Sequence, residues 1–386
     1  MNIKRTATVT LALLLAGLLL VSAASAATEE VQVIRYADNN YSVVESSATR
    51  NLTELQLMTN VYSNGPVYFQ GPTFDPDDPW GDGGQNMILY YDHNGTYVRN
   101  MTDLVGGMND GDEIRVQASD GMSRYFGYDN VYIPDARQGD MILAWWDDQY
   151  GFVPDYAEGI RLFFYTPPST YGVDDSLNLT LRDMQASFDP WYSYNYSGTW
   201  PSAKGLSVKY VQYLKVYPPH RYDFNTTGDT NEWAYEGSVG ATPGVNEPSG
   251  TTVTIANIAN HDSSVENYIT TTEDTYAAQR FVYNVTENPA NIEKLNVTWI
   301  GTGTHDGGTN GADFSIWNGT SFELLQGSTS DSEVTLTGEK TSSINSYING
   351  GNVILLIKQK GVSDGDDAST ITTDYVKLVV THHHSN

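Results

Sequence analysis

Tyr375-Val376-Lys377-Leu378-Val379-Val380 sets Val376, Leu378 and Val380 on one side of an extended chain and Lys377 on the other. Side chains of a strand alternate between faces, so this run predicts a strand with one apolar face. Phe314-Ser315-Ile316-Trp317 has the same character. Outward from these two, β-rich runs at 251–256, 280–285, 294–298, 323–325, 333–336 and 352–358 recur with turn residues between them. Regular short strands of this kind predict an antiparallel β-sandwich or jelly roll over residues 251–381. Residues 341–348 suit one short helix.

The first half is punctuated in the same way by Gly and Pro. Strands are expected at 32–36, 66–69, 87–91, 113–118, 124–128, 141–146, 160–164 and 207–216. Two short helices are expected, at 51–58 and 99–105; Gly106-Gly107 stops the second. Residues 27–222 and 251–381 each carry enough aromatic material for a core. The Thr/Gly/Asn/Asp/Pro-rich stretch 223–250, with Trp233 and Tyr235 as its large residues, reads as an ordered linker. Residues 382–386 read as a tail.

At the other end, Lys4 and Arg5 precede an apolar run at 11–21, and Ala24-Ser25-Ala26 follows. A basic start, a short apolar run and a small-x-small site describe an export signal over residues 1–26. The run falls short of the about 20 residues a membrane-spanning helix takes. The chain has no cysteine, so an exported product has no disulfides to lean on.

Removing Lys4 and Arg5 with the signal takes the formal charge from −27 to −29. That surface repels phosphate backbones and anionic bilayers, which argues against nucleic acid as a partner. Calcium is the natural counter-ion. Its candidate ligands are Asp75, Asp77, Asp78 and Asp82, and Asp364, Asp366 and Asp367; Asp110, Asp112 and Glu113 form a third cluster. None has the spacing of an EF-hand loop, and each also suits a solvated turn. Asn-x-Ser/Thr sequons at Asn40, Asn51, Asn94, Asn100, Asn178, Asn195, Asn225, Asn284 and Asn318 suit a glycosylated surface protein. Asn296, in the strand at 294–298, is usable only if it faces solvent.

Residues 100–168 carry a family resemblance. Asn100-Met101-Thr102-Asp103-Leu104-Val105-Gly106 is similar to the short helix before a strand in sulfite-oxidase-like molybdopterin-binding domains. Glu113–Ser123, with its Ser119-Asp120-Gly121-Met122-Ser123 turn, resembles the strand that follows; Met122 stands where an aromatic is usual. Met141-Ile142-Leu143-Ala144-Trp145-Trp146 and Glu158-Gly159-Ile160-Arg161-Leu162-Phe163-Phe164 resemble two further strands, and 209–216 a closing one. The resemblance implies a mixed α+β N-terminal domain. The family's molybdenum needs a cysteine thiolate, which this chain lacks, so no cofactor and no catalytic residue are carried over. Arg115, Arg124, Arg137 and Arg161 are scattered, and Arg161 is more simply an ion-pair partner. Cofactor-free domains of this type in exported proteins of methanogenic archaea, and β-sandwich modules of archaeal surface proteins, complete the resemblance.

Two functions follow as expectations. The first is a non-catalytic, glycosylated, self-assembling subunit of an archaeal envelope: a surface layer, sheath or filament. The alternative is a secreted carbohydrate- or solute-binding protein. Trp80, Trp191 and Trp200, in loops, are the expected ligand or subunit contacts; Trp299 and Trp317 are expected in the core. His93 reads as a loop tip. His261-Asp262 and His305-Asp306 either meet at one end of the sandwich around a metal or are solvated loops. His382-His383-His384 reads as a frayed terminus.

Overall fold

The computed structural model describes residues 28–62, 67–70, 87–90, 92–136, 138–165, 188–196, 200–225 and 231–386. The leader at 1–26, the Asp75–Asp82 cluster with Trp80, Arg137 and Asn178 lie outside the described residues. The N-terminal domain contributes β1 (Glu30–Ala37), β2 (Asn40–Asn51), β3 (Asn60–Tyr62), β4 (Val67–Gln70), β5 (Met87–Tyr90), β6 (His93–Tyr97) and β7 (Glu113–Ala118). It continues with β8 (Ser123–Gly127), β9 (Asp140–Asp147), β10 (Gly151–Phe152), β11 (Arg161–Tyr165), β12 (Asn195–Tyr196), β13 (Trp200–Pro201) and β14 (Val211–Tyr217). The C-terminal domain holds β15 (His220–Tyr222), β16 (Glu232–Val239), β17 (Thr251–Thr252), β18 (Glu266–Thr270), β19 (Tyr276–Asn284) and β20 (Ile292–His305). Its last strands are β21 (Ala312–Trp317), β22 (Phe322–Gly327), β23 (Val334–Lys340), β24 (Asn352–Gln359) and β25 (Ser369–His382).

Strand makes up 49% of the structure and helix 11%, which corrects the α+β class that the sulfite-oxidase resemblance implied. The helices α1 (Leu52–Leu57), α2 (Val98–Thr102), α3 (Tyr128–Tyr132) and α4 (Ala203–Leu206) have four to six residues each. Such pieces are too short to form a layer; they plug the ends of a β core. The expected helix at 99–105 is α2 followed by a 3₁₀ turn, ended by Gly106 at φ 96°. α1 starts on a capping box in which Asn51 and Glu54 bond each other's backbone N–H.

One N-terminal sheet runs β2-β1-β14-β7-β8, with β1 and β14 parallel; the other runs β10-β9-β6-β3, with β11 also on β9. Val31, Ile114, Val116 and Leu214 from the first share a fully buried core with Ile142, Leu143, Leu162 and Phe164 from the second. His93 is not at a loop tip. It opens β6, is 2% exposed, lies 3.1 Å from Asp147 and rests on the Phe163 ring at 3.9 Å. Arg161 is an ion-pair partner as expected, buried beside Glu158 with Ser207 at 2.8 Å and Tyr90 at 3.0 Å.

The C-terminal domain is the expected antiparallel sandwich. One sheet is β15-β25-β20-β23, with β18 also on β25; the other is β17-β16-β19-β24-β21-β22. Phe281, Phe314 and Leu355 meet Trp299, Val376 and Leu378 between them. The segment 223–250, read as a linker, instead supplies β16, which pairs along its whole length with β19. The passage from β14 to β15 is only Pro218-Pro219, and Trp233 is 41% exposed on β16 rather than anchoring a linker. Residues 341–348 hold a single 3₁₀ turn, Ile344–Tyr347. No described helix is long and apolar enough to cross a membrane.

Candidate functional site: an acidic cleft between the domains

The end of β25 carries the chain across the domain junction, so residues 382–386 are docked rather than frayed. His384 donates its backbone N–H to Glu113 at 2.8 Å, sets Nδ1 2.6 Å from the other Glu113 oxygen, and stacks on Tyr125 at 4.5 Å. The Asn386 side chain accepts from the Tyr125 N–H at 2.7 Å and donates to its carbonyl at 2.9 Å. Tyr125 lies on β8, an edge of the first sheet, so this amide occupies the place of a neighbouring strand. Arg221 adds a two-pronged contact to Asp38 at 2.9 and 3.0 Å.

Beside this tail is a cleft of about 540 Å³. Asp110 and Asp112 enter from the turn before β7. Tyr128, Asp129 and Asn130 come from α3, Phe188, Asp189 and Tyr192 from the chain beyond β11, and Glu293 and His383 from the C-terminal domain. Among the described residues, no lysine or arginine lines it. The wall is fixed by buried amides: Asn130 accepts from the Gly127 N–H at 3.0 Å and donates to Gln138 at 2.7 Å, and Gln138 donates back to the Asn130 carbonyl at 2.7 Å. A Cβ at Gly127 would come within 2.7 Å of the Tyr192 ring, so glycine is what lets Tyr192 lie there. His383 joins the two domains across the floor, with Nδ1 2.5 Å from the Tyr192 hydroxyl and Nε2 2.7 Å from Glu293.

The electrostatics follow from burial and from crowded carboxylates, of which Asp112 is paired with an arginine, Arg35. Partial burial, then Asp110, Asp189 and Glu293, push the Asp129 carboxyl above its usual range. Burial pushes Asp112 up as well, against the Asn109 N–H and Arg35, each at 2.9 Å. Burial and the surrounding carboxylates hold the Tyr192 phenol far above its ordinary value. A site of this kind accepts hydrogen bonds from hydroxyl or ammonium donors and repels anions.

Of the expected contacts, Trp191 reaches this site. It is half-buried, takes the Asp189 carboxylate on its backbone N–H at 2.9 Å, and sets its ring 5.3 Å from that of His383. Trp200 lies on β13, paired with β12. Trp299 is in the sandwich core as expected, 0% exposed, whereas Trp317, 9% exposed, packs with Val282 and Ile354 in a separate cluster on the other face of its sheet. The other calcium candidates do not converge: Asp364 accepts from the Asp366 and Asp367 N–H groups at 3.0 and 2.8 Å, which makes a self-contained turn. Those two bonds hold its carboxyl below the usual range. His305 does not meet His261; it sits 2.9 Å from the Val362 carbonyl and accepts from the Gly307 N–H.

Several sequon amides are engaged internally. Asn100 donates to the Thr59 carbonyl at 3.0 Å, Asn225 to Asn260 at 2.9 Å and Asn284 to Asn352 at 3.2 Å. Asn40 and Asn318 accept backbone N–H groups in turns, Asn94 and Asn195 are half-buried, and Asn296 is half-buried within β20. Tyr128, Asp129, Tyr192, Glu293 and His383 were not singled out as a site from sequence. They belong to four separate segments, and no local pattern links them.

The fold and cleft define a two-domain, mainly β protein with an acidic inter-domain site. Residues 229–382 match the family described as "Uncharacterized protein, C-terminal domain", so the family's boundary takes in β16. An uncharacterized protein of Archaeoglobus fulgidus is 37% identical over 109 residues, 27% of this chain and 18% of that protein's length. Among solved structures, a xylan-binding module CBM15 aligns at 11% identity and TM-score 0.26, over 43% of this chain and 99% of its own. A structure titled "CBM4 structure and function" aligns at 12% identity and TM-score 0.22, over 39% and 94%. Likenesses at these scores carry no argument about the fold or its ligand.

Proposed function

We propose that this is a secreted, glycosylated surface protein that binds a neutral or cationic polyhydroxylated ligand, a glycan by class, in the cleft between its domains. The observation that carries the reading is the cleft's lining: the exposed carboxylates of Asp110, Asp129 and Asp189 with no described lysine or arginine, beside the half-buried ring of Tyr128, while Phe188 and Tyr192, 4% and 3% exposed, belong to the core behind it. Carboxylates accept from sugar hydroxyls, and aromatic faces pack on the C–H face of a sugar ring. Domain junctions are favoured places for such sites, and the His383 bridge keeps both walls in register. The test is isothermal titration of the mature chain with neutral, amino and acidic oligosaccharides chosen from a glycan array. Saturable binding of a neutral or amino sugar, weakened at least tenfold by Asp129→Asn or Tyr128→Ala, supports the reading. No binding, or binding indifferent to both substitutions, overturns it.

A second reading, a self-assembling envelope subunit, draws on β2. This twelve-residue strand is the edge of its sheet and pairs only with β1 among the described residues; Val43 and Val44 are 49% and 50% exposed. Long exposed edges template strand addition. Light scattering with and without calcium tests it, and a protein monomeric in both removes it.

A further inference from the structure

The geometry points to a divalent transition-metal site, of zinc type, held by His261, Glu333 and Asp374 at one end of the C-terminal sandwich. Among the described residues this is the one set of three such side chains whose donor atoms all lie within 4.8 Å of each other. The site is separate from the inter-domain cleft.

Its floor is built by a register irregularity. β20 pairs Ile300 with Tyr375 and Gly301 with Thr373, which leaves Asp374 as the extra residue of a β-bulge. On the other side of β25, β18 ends at the Glu266–Thr373 pair and β15 covers only Leu378 to Val380, so Asp374 falls in a gap between strands. Bulges re-aim side chains, and here Thr373 and Asp374 are buried in succession. The Asp374 side chain is 1% exposed, and neither of its carboxylate oxygens has a hydrogen-bond partner. A buried carboxylate left in that state calls for a cation.

His261 and Glu333 close over it from the solvent side. Glu333 immediately precedes β23, whose Val334 is opposite Gly301, and His261 follows the 3₁₀ turn Ile255–Asn257. His261 Nε2 is 3.3 Å from a Glu333 oxygen and 3.3 Å from an Asp374 oxygen. Bonds of about 2.0–2.1 Å to a tetrahedral zinc set neighbouring donor atoms about 3.3–3.4 Å apart, so both spacings already suit that ion. An imidazole with two carboxylates selects a first-row metal over calcium, which takes six to eight oxygens. Three protein donors leave a fourth position for water. The single Nε2 of His261 makes its hydrogen bond to Glu333 and stands from Asp374 only at ion-pair distance, so the buried carboxylate keeps no hydrogen bond.

The test is titration of the chelator-stripped full chain with zinc chloride, beside His261→Ala and Glu333→Gln. Both residues are about half-exposed, so neither substitution removes core packing. Since His382, His383 and His384 can also take zinc, the readout is the difference between wild type and variant. The expected result is one equivalent fewer, or a tenfold weaker site, in each variant. Cobalt(II) should give a four-coordinate visible spectrum that His261→Ala abolishes, and zinc should raise the thermal midpoint of wild type more than that of His261→Ala. Equal zinc stoichiometry and affinity in all three proteins, with an unchanged cobalt spectrum, overturns the site. So does calcium binding there in preference to zinc.

Discussion

Replacing His384 with alanine tests whether the tail truly fastens the two domains. The substitution removes the 2.6 Å bond to Glu113 and the stacked contact with Tyr125, while the backbone N–H bond to Glu113 survives. A bond to a charged group contributes about 1.5–3 kcal/mol and an aromatic pair about 0.5–1.5 kcal/mol. The His384 side chain is 43% exposed, so solvent screening puts the charged bond at the low end; Glu113, 3% exposed, loses a partner that water replaces poorly. The combined cost is about 2–3 kcal/mol. Urea unfolding followed by tryptophan fluorescence should show that loss as a lower midpoint, and amide exchange at Tyr125 should quicken. A change under about 0.5 kcal/mol, within the range of an ordinary surface substitution, would refute the fastening role.

Four other outcomes are expected. Glu287 is 6% exposed; burial pushes its carboxyl up, but the His220 bond outweighs that and the net value is below 4.5. Its stabilisation is therefore present above pH 4.5 and lost as pH falls through the folded value, so the stability deficit of Glu287→Gln should shrink on acidification; a deficit that grows on acidification contradicts this. Burial holds His382 below its ordinary 6.5, so its contribution is full above that pH and declines beneath it; His382→Gln should flatten that part of the stability profile. Arg161→Met breaks a buried ion pair and two hydrogen bonds and should cost about 3 kcal/mol in chemical denaturation. Gly301→Ala would set a Cβ 2.0 Å from the Thr372 carbonyl and 2.5 Å from the Trp299 ring, and should lower stability by about 3 kcal/mol or more, read as a fall in thermal midpoint.

Strands with an apolar face could be read directly. Residues 113–118 form β7 as expected, and the run at 375–381 falls inside β25, because the buried face prints its alternation on the sequence. β2 escaped notice because Asn40–Asn51 is an exposed edge with little apolar content. β16 escaped because its buried residues, Ala234 and Val239, are out of phase and sit among Gly, Glu and Ser. The helix at 51–58 is started by the Asn51 cap, and the one at 99–105 ends at Gly106 as its glycine pair implied. Trp191 was found because a Tyr/Pro-rich loop exposes aromatics. The rest of the cleft, and the bulge that buries Asp374, arise from pairings between residues far apart in the chain, which leave no local trace.

The central claim is that the acidic junction between the domains is the binding surface. A crystal structure of the mature chain with a saccharide selected on the glycan array tests it most directly. The account predicts sugar hydroxyls donating to Asp129 and Asp189, with a ring face against Tyr128 or Trp191. A sugar seated elsewhere, such as beside the exposed Trp233 on the six-stranded sheet, with the cleft untouched, would contradict it.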